Sequence, residues 1–454
     1  MTHSQNDKNL ESAIAAWLQG SLEIISSKSA NLFQKIDGWE SWQVASEGGF
    51  TRNPYTIVYN NRNLEKEIFE NNIYWTSVET AIEEHANFKK HISSGLIGSA
   101  YGTSRWGPTS RQICEKLLPR PNREGISTSA NGIEASIRAL LSEINSDKIT
   151  TTTVWPIANI QVSAPVRLDS RTEFRELTDS EKIIALQFGI IRGFVADRID
   201  PESSHWYGLV LKEIDHKTFG DALELPPDYI LQWSLKEQVL ENFLALIPIA
   251  CNKVAFHAGG HSSAPSFQFG GSLSIGVSGL GVQTSTFRFF NSGENSNLSH
   301  NETLELVSLW STMGVPSAGK FQKRVANAAR RLFYAQTRAN PEDMLIDCMI
   351  AAESLYLDDD NKNELSYRLS LNAALWSEEK VTGQRDVFNL FKKAYALWGK
   401  IVHGGTVNRE EVGHIIEEVK KVIRNGITKA FRHLQTSQNP PDWNSFIFRD
   451  RRVT

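Results

Sequence analysis

From Lys320 to Gln435, apolar residues recur at three- and four-residue spacing with only short polar breaks. That period belongs to helices, and no other property of the chain narrows its fold as far. "KFQKRVANAARRLFYAQTR" puts Val325, Ala328, Ala329 and Leu332 on one face. "NPEDMLIDCMIAAESLYL" opens with Asn340 as cap and Pro341 at the first helical position, and Glu342 and Asp343 sit at the positive end of the dipole. "NELSYRLSLNAALW" (363–376), "RDVFNLFKKAYALWGKIVH" (385–403) and "REEVGHIIEEVKKVIRNGITKAFRHLQ" (409–435) add three more helices. The seam of the last is Ile415, Val419, Val422 and Leu434. Short connections between such helices predict an antiparallel bundle. The tail "QNPPDWNSFIFRDRR" reads as irregular.

Before Lys320 the texture is mixed. Residues 11–36 carry helical spacing that Gly20 is expected to interrupt, and "PYTIVYN" suits a short strand. Helices are predicted over 76–92, capped by Ser77, and over 131–144, capped by Asn131. Residues 102–111 read as a loop. From Thr150 the chain turns β-branched and proline-broken, so 149–168 reads as strand and edge-strand material. Thr178 and Glu181 stand at capping-box spacing before another helix, 205–214 suits a strand, and the glycine-rich stretch 270–290 alternates like β structure. The expected fold is therefore mixed. An α/β (α+β) N-terminal region (1–149, mostly helical) and middle region (150–319) precede an all-α helical bundle (320–454).

With 454 residues, about three domains are expected at ~150 residues each. Twelve Trp and 22 Phe supply enough bulky apolar material for large cores. Three scattered cysteines without CxxC spacing argue against a disulfide framework or a zinc site and fit a reducing cytoplasm. The first residues carry no leader pattern, and no apolar run reaches the ~18 residues of a membrane span. From Lys320 onward 22 Lys and Arg face 17 Asp and Glu, whereas the rest of the chain has 26 against 35. A basic end on an acidic chain permits a polyanion partner there; it also fits a solvated helix surface.

Most chemical motifs fail on inspection. "GVPSAGK" (314–320) matches seven positions of a phosphate-binding loop, but Phe321 stands where Mg²⁺ needs Ser or Thr. His257 and His261 are four apart, yet two glycines between them suggest a polar loop, and no third ligand is near. No GxSxG stretch exists, and the glycines of 276–281 are in the wrong order for a dinucleotide fingerprint. No metal or cofactor is expected.

The segment "ALWGKIVHGG" (396–405) remains, a helix end that stops on His403 before two glycines. A cap explains part of this, since a charged histidine at a helix C-terminus gains ~0.3–1 kcal/mol from the dipole and glycine takes the left-handed turn. The position also suits chemistry, because an imidazole exchanges protons near neutral pH.

"RLFYAQTRANPEDMLIDCMIAAESLYL", "ELSYRLSLNAALW" and "AYALWGKIVHGG", in that order, resemble the Apea-like branch of the HEPN domains (higher eukaryotes and prokaryotes nucleotide-binding). "VWPIANIQV…FRELTDSEK" is similar to the segment that often precedes this domain. The resemblance covers about the last third of the chain and implies a dimeric bundle that binds RNA. Many members cut RNA without a metal, in antiphage defence. It makes His403 the group that handles the ribose 2′-hydroxyl proton. The family motif places an arginine four to six residues ahead of that histidine, but here Trp398, Leu397 and Ala396 occupy the permitted positions. Arg409 and His414 fit the bare spacing only in the following helix. Lys400, one turn from His403, is the substitute cation, and Trp398, Lys392 and Lys393 are the candidate RNA contacts. Two readings follow: an endoribonuclease, or a scaffold that binds RNA or dimerises without cutting. The first 319 residues are expected to sense a trigger that the sequence does not specify.

Overall fold

Asn340 starts a helix as its sequence predicts: its side-chain oxygen accepts from the Glu342 backbone N–H at 3.3 Å, with Pro341 at the first position. The computed structural model describes residues 5–35, 41–44, 50–53, 55–57, 66–89, 110–115, 117–118, 130–146, 148–179, 181–182, 185, 206–216, 228–257, 261–263, 296–313, 319–357, 364–437 and 439–447. These residues form a mixed α+β structure, mostly helical, with a small antiparallel sheet and a helical C-terminal region. The chain divides into two compact units, one of residues 1–156, 175–232 and 257–285, the other of 157–174, 233–256 and 286–454.

In the first unit, α1 (Gln5–Leu32) runs without a break through Gly20. The expected interruption is absent because a Cβ at Gly20 would meet the Tyr74 ring at 3.1 Å, so glycine serves close packing there. Strands β1 (Phe33–Lys35), β2 (Ser41–Val44), β3 (Phe50–Asn53) and β4 (Tyr55–Ile57) form two antiparallel pairs, β1 with β4 and β2 with β3. A π-helical turn at Lys66–Glu70 leads to α2 (Trp75–Glu84). The helix starts two residues ahead of the predicted Ser77 cap, because Asn72 accepts from the Tyr74 and Trp75 backbone N–H groups and Trp75 is buried. Helices α3 (Ser110–Glu115) and α4 (Ala130–Asn145) follow, so Asn131 lies inside α4 rather than at its cap. Trp17 stacks on Phe69 at the centre of this core, and Trp75 meets Phe69 edge-on, among Leu10, Ile14, Leu140 and Leu141.

Strand β5 (Lys148–Ala158) is followed by β6 (Ile160–Gln161), β7 (Val166–Arg167), β8 (Thr172–Glu176) and β9 (Tyr207–His216). The predicted capping box is formed: the Thr178 backbone N–H donates to Glu181 at 2.8 Å, and that of Glu181 to the Thr178 hydroxyl at 3.4 Å.

The second unit contains β7 paired antiparallel with β8, α5 (Asp228–Cys251), β10 (Phe256–His257), β12 (Ser296–Asn297) parallel to β6, and α6 (His300–Met313). Strand β11 (His261–Ser263) pairs antiparallel with β5, and His257 and His261 both sit on short strands. No described helix is long and apolar enough to cross a membrane. Residues 102–109 of the expected loop, 314–318 of the phosphate-loop near miss and the β-like stretch 270–290 lie outside the described residues, and the loop's last two residues, Ser110 and Arg111, instead begin α3.

The bundle follows: α7 (Lys320–Thr337), α8 (Pro341–Tyr356), α9 (Leu365–Ser377), α10 (Val381–Val402), α11 (Arg409–Leu434) and α12 (Trp443–Ile447). α7 packs on α8, α8 on α11 and α9 on α10. Two polar devices fix this packing. Asp347, almost fully buried, accepts from Arg331 at 2.8 Å and Arg338 at 3.0 Å. The Trp376 indole N–H donates to the Gly426 carbonyl at 3.0 Å. The tail is less irregular than expected, because α12 buries Trp443 against Trp376.

Candidate functional site

Helix α10 exists because Val387, Phe391, Ala394 and Leu397 recur at three- and four-residue spacing and are buried. The same period leaves Lys392, Lys393, Ala396 and Lys400 exposed. The helix ends in a complete glycine stop. Gly405 N–H donates to the Lys400 carbonyl at 2.7 Å, Gly404 N–H to Ile401 at 3.0 Å, and Gly404 has φ +75°. This six-to-one, five-to-two pair is the Schellman arrangement. It makes His403 the C-cap residue, with φ −92° and ψ 14°.

The cap uses only the backbone of His403, whose N–H donates to Gly399 at 3.1 Å. Its imidazole is exposed and has no partner among the described residues. Val402 beside it is 54% exposed. Lys400 is exposed one turn back. A rigid helix end therefore presents an unengaged proton-transfer group next to a cation, where it can meet an anionic ligand.

The four other candidate positions divide. Lys393 is ion-paired, its Nζ 2.7 Å from Glu411. That hydrogen bond, then the Lys393 charge, holds the Glu411 carboxyl below its usual range, with a smaller contribution from Lys400. Lys392 has no such partner and lines an open groove of about 600 Å³ with Glu364, Leu365, Ser366, Tyr367 and Tyr395. Trp398 is half-buried with its ring 5.0 Å from Tyr395, and its indole N–H is shielded from solvent without an acceptor. It supplies neither positive charge nor a fork of donors.

The groove residues of α9 were not singled out from the sequence. Glu364 and Tyr367 lie a few residues apart in an ordinary amphipathic pattern, and only the packing of α9 on α10 brings them to Lys392 and Tyr395.

Elsewhere among the described residues, no cluster of three or more His, Cys, Asp or Glu is arranged to hold a metal ion. Burial pushes the Cys348 thiol up to about 12 and the Cys251 thiol to about 11, so neither is a thiolate nucleophile near neutral pH. No family model, no curated protein and no solved structure matches the chain.

Proposed function

We propose that this chain is a HEPN-type protein that engages RNA as a homodimer and cleaves it without a metal. It would work in the cytoplasm, in bacterial antiphage defence or a related stress response. The observation that carries the proposal is the Schellman end of α10, which leaves the His403 imidazole exposed and unpartnered beside Lys400. In this reading His403 accepts the ribose 2′-hydroxyl proton. The 2′-oxygen attacks the adjacent phosphorus, and the 5′-oxygen leaves, taking a proton from the second copy's His403, which enters the reaction as the imidazolium. The products are a 2′,3′-cyclic phosphate and a 5′-hydroxyl. Lys400 offsets the charge that builds on phosphate. The N-terminal residues respond to a trigger and control the bundle.

Trp398 favours a second reading. Its half-buried indole stands in place of the motif arginine, and loss of one such contact costs about 10²- to 10³-fold in rate. A bundle so altered binds RNA or dimerises without cutting. Incubating the purified chain with total RNA in EDTA separates the two. Cleavage that disappears in His403→Ala supports the nuclease. Cleavage unchanged in that variant refutes it, and RNA retention without cleavage supports the scaffold.

A further inference from the structure

We infer that the groove between α9 and α10 is a subsite for one unstacked nucleotide, taking an amino-bearing base in preference to uracil. The inference rests on the RNA reading above and names the part of the strand that the surface selects.

Two tyrosines supply flat apolar surface. Tyr367 is 50% exposed, with its ring 5.6 Å from Phe388 in an edge arrangement. Tyr395 is half-buried and stands 5.0 Å from Trp398, also edge-on. Each ring is thus held by an aromatic neighbour before any ligand arrives. Bases stripped from a helix stack on such rings.

The charges complete the match. Lys392 and Glu364 line the same groove, and neither side chain is ion-paired or hydrogen-bonded with the other or with another described residue. Opposite charges left unpaired in one groove suit a ligand that carries both an anion and N–H donors. A nucleotide does: its phosphate meets the Lys392 ammonium, and a base amino group donates to the acceptor-only Glu364 carboxylate. Glu364 holds a left-handed backbone, φ 52° and ψ 37°, and makes no side-chain cap to α9, so its carboxylate is left for other use. A purely apolar or purely anionic ligand would leave one of these charges unmatched.

The groove also lies on the path to His403. Lys392, Ala396, Gly399 and His403 are spaced by four, three and four residues on α10, so they share one face of the helix. Eleven residues at ~1.5 Å rise put the groove about 16 Å along the helix axis from the imidazole. That span takes about five nucleotides stacked at ~3.4 Å each, and fewer in an extended strand.

The test uses the full chain and fluorescent ten-nucleotide homopolymers of A, C and U, read by anisotropy. Wild type is expected to bind the A and C strands more tightly than U. Tyr367→Ala and Lys392→Ala are expected to weaken A and C binding about tenfold or more. Glu364→Gln is expected to level the three bases. All three changed side chains lie on the surface, and unaltered circular dichroism checks the fold. Equal binding of the variants and wild type, with RNA still bound, overturns the groove subsite and leaves the RNA reading standing. A wild-type chain that binds none of the strands overturns both.

Discussion

Gly426→Ala and Gly413→Ala make the same chemical change on the same helix, and the structure assigns them opposite signs. Both glycines lie within α11, where alanine is the better helix former by ~0.8–1.0 kcal/mol. At Gly413 a new Cβ meets nothing within 4 Å, so the gain stands alone. At Gly426 the new Cβ would fall 2.1 Å from the Tyr356 hydroxyl oxygen and 2.9 Å from Leu355 Cδ2. Tyr356 is fully buried between Phe391 and Trp443, so its ring has no open space to swing into. Overpacking of a dense core costs ~1–3 kcal/mol, and this site sits at the upper end. The net for Gly426→Ala is then destabilisation by about 2 kcal/mol. For domains of ~150–250 residues, each kcal/mol moves the melting midpoint about 2–4 °C. Thermal unfolding should place Gly426→Ala about 4–8 °C below wild type and Gly413→Ala about 2–4 °C above it. Adding Tyr356→Phe removes the hydroxyl that makes the shortest contact, so the double variant should recover about 1 kcal/mol against the sum of the singles. A Gly426→Ala midpoint that rises like that of Gly413→Ala would refute the close approach of α8 to α11.

Gly404→Ala places a side chain at φ +75°, a left-handed conformation that costs an L-residue ~1–2 kcal/mol. The expected result is a midpoint about 2–8 °C lower, with Gly404→Asn less affected; equal stability of all three would show that the glycine stop is not required. Glu181 gives a pH dependence. Burial alone would raise its carboxyl pKa, but the Arg175 hydrogen bonds, the Thr178 backbone N–H and the Arg175 charge outweigh it and lower the value. A lowered folded pKa means stability that is present above the unfolded carboxylate range and lost as pH falls through the folded value. Glu181→Gln is therefore expected to lose stability near pH 7, and its denaturant midpoint should fall less steeply than that of wild type as the pH is lowered below ~4.5; parallel profiles would refute it.

The bundle was legible because its signals are local. Asn340 with Pro341 and the Thr178–Glu181 box each sit within one turn, and the structure forms both; the seam of α11 repeats every three or four residues, and Ile415, Val419 and Leu434 are buried while Val422 is half-buried. The signals that misled are also local, but distant residues overrule them. Gly20 looks like a break until Tyr74 is placed against it, and Ser77 looks like a cap until burial of Trp75 starts the helix earlier. The tail contains Pro440 and Pro441 and reads as coil, yet Trp443 finds Trp376 and Tyr356, which are far away in sequence. In the last two cases burial of a tryptophan, Trp75 or Trp443, decides the outcome, because it outweighs a propensity difference of less than ~1 kcal/mol.

The candidate site divides along the same line. His403 with its glycines was legible because a Schellman stop is written in consecutive residues, and so was the unusual Trp398. The pairing state of the lysines was not. Lys392 and Lys393 are adjacent and chemically identical, but they point about 100° apart around the helix. That angle sends Lys393 to Glu411 of α11 and leaves Lys392 in the groove with Tyr367. A cation already held by a carboxylate gains less from phosphate, because the existing pair must first be broken. Of the two lysines, Lys392 is therefore the one whose loss should weaken an anionic ligand more, and Lys393→Ala should have the smaller effect. Reversal of that order would show that the surface meets its ligand through the α10–α11 side instead.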